Sequence, residues 1–202
     1  MRPKITSFVR IEILLVCMLY AAFLLWSAYR VYVHDSAYLY EENGVIENLQ
    51  VIALVVGCVV FFVPAVLPIG GDKLLHLCFS FLCYCFILRE LDVERLNVPE
   101  IVKLIGSGLG RDLSYAIGFL SLMAYALRHF SYYKAKCKDY ARSASFFLFI
   151  VSGVILVVGG FFEDFKSVPH HVYLEEIIEL AGFTLLVISG LALYKRSIFV
   201  KA

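Results

Sequence analysis

Apolar positions in this chain do not alternate as in a strand or recur as a narrow stripe; they run on for whole stretches. Six stretches, about 11–33, 45–67, 73–91, 113–129, 145–162 and 172–194, approach the roughly 20 residues that a helix needs to cross a hydrocarbon core of about 30 Å. The pattern predicts an all-α integral membrane protein, a bundle of six transmembrane helices forming a single domain over residues 1–202. The first stretch follows Arg2, Lys4 and Arg10, as a secretion signal would, but continues through Trp26 and Tyr29 without a small-residue cleavage site. It therefore reads as an uncleaved anchor.

Composition agrees with the pattern. Hydrophobic residues make up 61% of the 202 and charged residues 17%, against about 45–50% and about 25% in soluble domains, which excludes an ordinary soluble protein. A net charge of +1 argues against nucleic-acid binding, which needs a basic excess on one face. The six cysteines (Cys17, Cys58, Cys78, Cys83, Cys85 and Cys137) lie mostly inside apolar runs and form no C-x-x-C pair. They read as small buried hydrophobes rather than a disulfide or zinc framework.

Six spans put both termini on one side, and basic residues decide which. With the termini inside, the inner segments hold 12 of 18 Lys and Arg, including those of "RHFSYYKAKCKDYAR", so both termini are expected in the cytoplasm of a bacterial-type inner membrane. Acidic residues fall the other way. All but Glu12, Asp72 and Asp139 lie at the outer ends, so an acidic layer faces the periplasm or exterior.

Short apolar runs draw that layer into the bilayer. The uninterrupted run of the second span is residues 51–67, about 25 Å long, so Glu47, Asn48 and Gln50 must enter the core. The third span has residues 74–88, about 22 Å, followed by Arg89, Glu90 and Asp92. The sixth has residues 180–194, preceded by Glu175, Glu176 and Glu179. Ionisable side chains at membrane depth cost at least a few kcal/mol each and face protein interiors or polar cavities, which makes them functional candidates. Helical spacing groups them as Asn43–Glu47–Gln50, Arg89–Asp92, Arg111–Tyr115 and His171–Glu175–Glu179, four stripes expected to converge on an outward-facing pocket.

Dipole complementarity explains acidic residues near the predicted helix starts, such as Glu41, Glu42, Glu47, Glu175 and Glu176. It does not explain Glu90, Asp92 and Glu94, which follow a helix C-terminus. Their counterions are expected to be Arg89, Arg95, Arg111 or a bound cation.

The chemistry follows from residue types. Imidazole with carboxylates suits zinc, iron or manganese, and carboxylates alone suit calcium or magnesium. Glu47, Asp92, His171, Glu175 and Glu179 are therefore the expected ligands of a divalent metal ion (zinc, manganese, iron or calcium). Glu90 and Glu176 are the expected general bases, and Arg89 and Arg111 hold an anionic head group. On this reading the chain is a metal-dependent hydrolase or modifying enzyme acting on a lipid or envelope substrate. The competing readings are a small proton- or cation-coupled transporter or channel, and a non-catalytic membrane assembly factor. Membrane lipids are the expected partners, a homodimer belongs to the transporter reading, and nucleic acid is excluded.

Other features carry less. "LNVPEIVKLIGSGLG" reads as a short interfacial helix begun by Pro99, and its glycines follow no strand as a phosphate loop would require. His76 and His129 sit near inner ends and are expected to hydrogen-bond locally. Gly153, Gly159, Gly160, Gly182 and Gly190 are expected to let helices pack closely.

Overall fold

Each of the six apolar stretches is helical in the computed structural model, which describes residues 5–67, 72–91 and 93–199, with side chains between residues 18 and 193 of those ranges. The helices are α1 (Ile5–His34), α2 (Val45–Val66), α3 (Lys73–Glu90), α4 (Glu100–Gly106), α5 (Gly108–Arg128), α6 (Phe130–Ala141), α7 (Ala144–Asp164) and α8 (His171–Phe199). Among the described residues there is no strand. Asp92 and the terminal basic residues Arg2, Lys4 and Lys201 lie outside them.

The expected short helix after Pro99 is α4. The "RHFSYYKAKCKDYAR" connection, read from sequence only as a basic loop, contains the helix α6.

Among the described residues three helices are long and apolar enough to cross a membrane: α2, α7 and the part of α8 from His171 to Leu193. This is fewer than the six spans expected. Helix α3 has only 18 residues and includes Lys73, Arg89 and Glu90, while α5 opens on "GLGRD". The side chains of the first half of α1 lie outside the description. Helices α2 and α7 expose rows of large apolar side chains, among them Ile52, Val55, Val59, Phe147, Val154 and Phe161. A surface of that kind is costly in water and suited to lipid.

Helix α8 is the centre of the packing, lying along α7 on one side and α2 on the other, with α3 against α2. One core joins Leu54 and Phe61 of α2, Phe79 and Cys83 of α3, and Phe183, Leu186 and Leu193 of α8. A second, toward the acidic end, joins Val31, Leu39, Ile46, Tyr173 and Leu180.

The α7–α8 seam is built on small residues. Ser145, Ser152 and Gly159 recur every seven positions on α7 and are its buried residues. Ser145 Oγ donates to the Ser189 carbonyl oxygen (2.7 Å), Ser189 Oγ donates to that of Ser145 (2.8 Å), and Ser152 Oγ to that of Gly182 (2.8 Å). In lipid such bonds and close backbones replace the hydrophobic drive that water would supply.

Of the five glycines expected at contacts, three are. A Cβ would lie 3.0 Å from Glu179 Cγ at Gly159, 2.6 Å from Leu156 Cδ2 at Gly182 and 1.7 Å from Phe61 Cε1 at Gly190. Gly153 and Gly160 have no such neighbour within 4 Å, so close packing does not account for them.

Candidate functional site

The turns at the acidic end set the site. Asp35, Asn43 and His170 all have positive φ (47°, 59° and 55°), and Asp, Asn and His are the non-glycine residues that most readily adopt it. These turns deliver the chain into the starts of α2 and α8. Glu47, three residues into α2, accepts a hydrogen bond from the Asn43 N–H at 2.5 Å, closing the first turn. His170 Nδ1 lies 3.2 Å from the Tyr40 hydroxyl and its ring stands edge-on to Tyr32. Burial, reinforced by Asp35 and Glu41, raises the Tyr40 hydroxyl above its ordinary range.

Three helices then bring their polar ends together. Arg89 of α3 lies with its Nε 3.0 Å from Glu90 Oε1, an ion pair without hydrogen-bond geometry, and donates from its other side to Glu179 Oε1 of α8. The Glu90 and Glu179 side chains are only 8% and 4% exposed, so the guanidinium is their main compensation. Gln50 of α2 is fully buried, and its Nε2 donates to both the Glu176 carbonyl oxygen and Glu176 Oε2, each at 2.8 Å. These two contacts clamp α8 to α3 and α2.

A cavity of about 410 Å³ opens beside the clamp, with Glu47, Arg89, Glu90, Glu94, Ser107 and Arg111 in its lining. Its rim is the α4–α5 junction. Gly108 there has φ +48°, a left-handed turn that glycine adopts without strain. Helix α4 exposes Ile101, Val102, Leu104 and Ile105, which seats the rim at an apolar boundary.

The expected residues divide accordingly. Glu47, Arg89, Glu90 and Arg111 share the cavity. Glu179 is taken by Arg89, Glu176 by Gln50, and half-buried Glu175 feels the charges of Glu179, Glu163 and Arg89 from outside the lining. His171 opens α8 without lining the cavity, and Asp92 lies outside the described residues.

The stripes separate in the same way. Asn43 precedes α2 instead of sharing its face, while Tyr115 donates to the Cys85 carbonyl oxygen (2.7 Å) and joins α5 to α3. The counterion expectation is met for Glu90, by Arg89, while the other two arginines have different partners. Arg95 pairs with Glu42 (2.5 Å), and Arg111 lies 3.9 Å from Asp112.

A metal ion is not favoured by this donor set. Among the described residues no group of three or more His, Cys, Asp or Glu is arranged to hold one, and Arg89 stands between the two most buried carboxylates where a cation would be needed. Ser107, Gly108 and the Tyr40–His170 contact were not anticipated as parts of this end. The glycine turn after the Pro99 helix was the available signal for the rim, and nothing in the spacing linked Tyr40 to His170. No protein-family model, curated protein or solved structure matches this chain.

Proposed function

We propose that the chain is a six-span protein of a bacterial-type inner membrane, and that its acidic end faces the periplasm or exterior. There it binds a lipid or envelope substrate by its head group and hydrolyses or modifies it. The observation that carries this reading is the shared cavity in which carboxylates and guanidinium groups from α2, α3 and α5 meet beside an interfacial helix. Helices α1, α3 and α5 supply the remaining spans. Their 30, 18 and 21 residues reach about 45, 27 and 32 Å at 1.5 Å per residue.

In the hydrolytic step Arg111 holds the anionic part of the head group. Glu90 takes a proton from the attacking water as its oxygen adds to the ester, and returns it to the leaving oxygen as the ester bond breaks. No step runs through a metal ion. The transport reading is disfavoured by Leu54, Phe61, Phe79, Phe183 and Leu186, which fill the bundle between its two polar ends with apolar side chains.

A second reading has its own support. The Arg89–Glu179 and Gln50–Glu176 contacts join three helices, as an assembly factor without chemistry would require. The two are separated by reconstituting the protein with envelope lipid extract and following lipid composition by mass spectrometry. Turnover lost in Glu90→Gln and Arg111→Gln, with Lys166→Gln unaffected and all variants folded, supports the enzyme. Identical lipid profiles for all four proteins overturn it in favour of the assembly role.

A further inference from the structure

Helices α3 and α5 enclose two features, one above the other. The polar cavity lies at their acidic ends, and below it an apolar groove of about 470 Å³ is lined by Leu74, Cys78 and Leu82 of α3 and by Leu122, Met123 and Ala126 of α5. Between the two levels the helices are pinned. The Tyr84 hydroxyl donates to Ser114 Oγ (3.2 Å), the Tyr115 hydroxyl to the Cys85 carbonyl oxygen (2.7 Å), and Gly118 takes the Phe81 ring where a Cβ would be 2.1 Å away. Helix α5 has no buried residue along its whole length, and toward its inner end the groove runs between it and α3.

From its upper lining residue, Cys85, to Leu74 near the inner end of α3 the groove follows 11 residue steps, about 16 Å, so an acyl chain entering from the cavity runs along α3 toward the opposite side. Charge fixes the other end of the ligand. The cavity is lined by carboxylates (Glu47, Glu90, Glu94) and by the guanidinium groups of Arg89 and Arg111, of which Arg89 is held by Glu90 and Glu179 and Arg111 has a long, exposed contact to Asp112, so a head group there meets both signs. The exposed aliphatic face of α4 places the rim where a lipid enters sideways.

We propose that the α3–α5 pair is a binding site for a zwitterionic phospholipid of the phosphoethanolamine type. Its phosphate lies on Arg111, its ammonium among the cavity carboxylates, and one acyl chain in the groove below the Tyr84–Ser114 crossing. This rests on the head-group reading above and names its substrate class. It assigns the groove a role that no polar residue of the cavity requires.

The test uses the full-length protein in phosphatidylglycerol nanodiscs with a phosphatidylethanolamine carrying a diazirine on one acyl chain. After irradiation, crosslinks are mapped by peptide mass spectrometry. Label is expected on Cys78, Leu82 and Met123 in preference to the lipid-facing α7 residues Phe147, Val154 and Phe161, and unlabelled phosphatidylethanolamine removes it. Ala126→Trp and Met123→Trp, both checked for folding by thermal melting, lower it roughly tenfold, the change that ~1.4 kcal/mol of lost contact produces.

Label spread evenly over α3, α5 and α7 overturns the proposal. So does equal competition by soluble glycerophosphoethanolamine with no effect of either tryptophan, and that result leaves the head-group pocket standing. If neither competitor acts and Arg111→Gln changes nothing, the pocket reading fails and the lipid site fails with it.

Discussion

At one end of α3, Arg89 and Glu90 meet Glu179 of α8 and open onto a cavity. At the other, Asp72 and His76 are buried, and among the described residues Asp72 Oδ1 and Oδ2 and His76 Nε2 have no hydrogen-bond partner. Both ends place ionisable groups in a low-dielectric interior, where an unpaired polar group costs more than a paired one. The acidic end recruits opposite charge from a second helix. At the basic end the contacts are local and no ion pair closes on Asp72 among the described residues: His76 Nδ1 lies 2.9 Å from the Asp72 carbonyl oxygen, which places a proton on Nδ1, and Lys136 acts on the carboxylate only through its charge. Charge pairing therefore builds an accessible site at one end and is missing from the other.

The sharpest way to break this comparison is to remove the pairing. Arg89→Ala leaves Glu90 and Glu179, 8% and 4% exposed, without their cation, and is expected to cost about 3–5 kcal/mol. Thermal unfolding in detergent measures it. Replacing Arg89 and Glu179 together by Leu should recover the part of the loss that belongs to Glu179, because an apolar pair asks for no compensation, while Glu90 still lacks its cation. A double variant as unstable as Arg89→Ala would mean that the pair does more than neutralise itself.

The apolar layer between the ends should tolerate insertion less well than its composition suggests. Gly190→Leu drives a side chain into Phe61, where even a Cβ would stand 1.7 Å from the ring, and is expected to cost at least about 1–3 kcal/mol. Gly153→Leu, with nothing within 4 Å, should melt like the wild type.

Those two glycines also mark the limit of what the sequence made legible. Hydropathy located all six long helices to within about six residues, because a long apolar run is a signal needing no tertiary information, although among the described residues only three of them are apolar and long enough to cross a membrane. It did not distinguish Gly190 from Gly153, since which helix face meets a neighbour depends on packing. The Ser145–Ser152–Gly159 heptad was readable in principle, but was hidden by attention to glycine alone.

The site divides along the same line. Short apolar runs drew attention to Glu47, Arg89, Glu90 and Arg111, and these four line one cavity because each sits where its helix reaches the acidic end. Of the Asn43–Glu47–Gln50 grouping, Asn43 turns at φ 59° before the helix begins yet lines the cavity with Glu47, whereas Gln50 turns away to Glu176. The His171–Glu175–Glu179 ladder was read as a ligand set, yet a shared stripe does not say what faces it. Arg89 from another helix reached Glu179 first.

At the basic end the comparison can be sharpened by pH. Burial is the largest influence on Asp72 and raises its carboxyl above the ordinary aspartate range, against the opposing pull of the Leu75 and Leu74 amides, Lys136 and His76. The folded state therefore holds the proton more tightly than the unfolded chain. Its contribution to stability is full below the ordinary aspartate value and is lost as pH rises through the raised folded value. Asp72→Asn should melt higher than the wild type near neutral pH, with the gap closing in acid. A gap that widens in acid would mean that Asp72 is stabilised as a carboxylate by a counterion.

The smallest effect is expected beside the largest. Arg95 and Glu42 form an ion pair at 2.5 Å at the same end as Arg89, but Glu42 is 78% exposed where the glutamates held by the half-exposed Arg89 are buried, so water and salt screen the attraction that the buried carboxylates preserve. Arg95→Gln should change stability by less than about 1 kcal/mol, and the change should shrink further in high salt. Melting Arg95→Gln, Arg89→Gln and Arg89→Ala side by side at low and high salt compares an exposed arginine–glutamate contact with one whose glutamates are buried. If Arg95→Gln cost as much as Arg89→Ala and resisted salt, proximity alone would account for both, and the contrast drawn between the two ends of α3 would lose its physical basis.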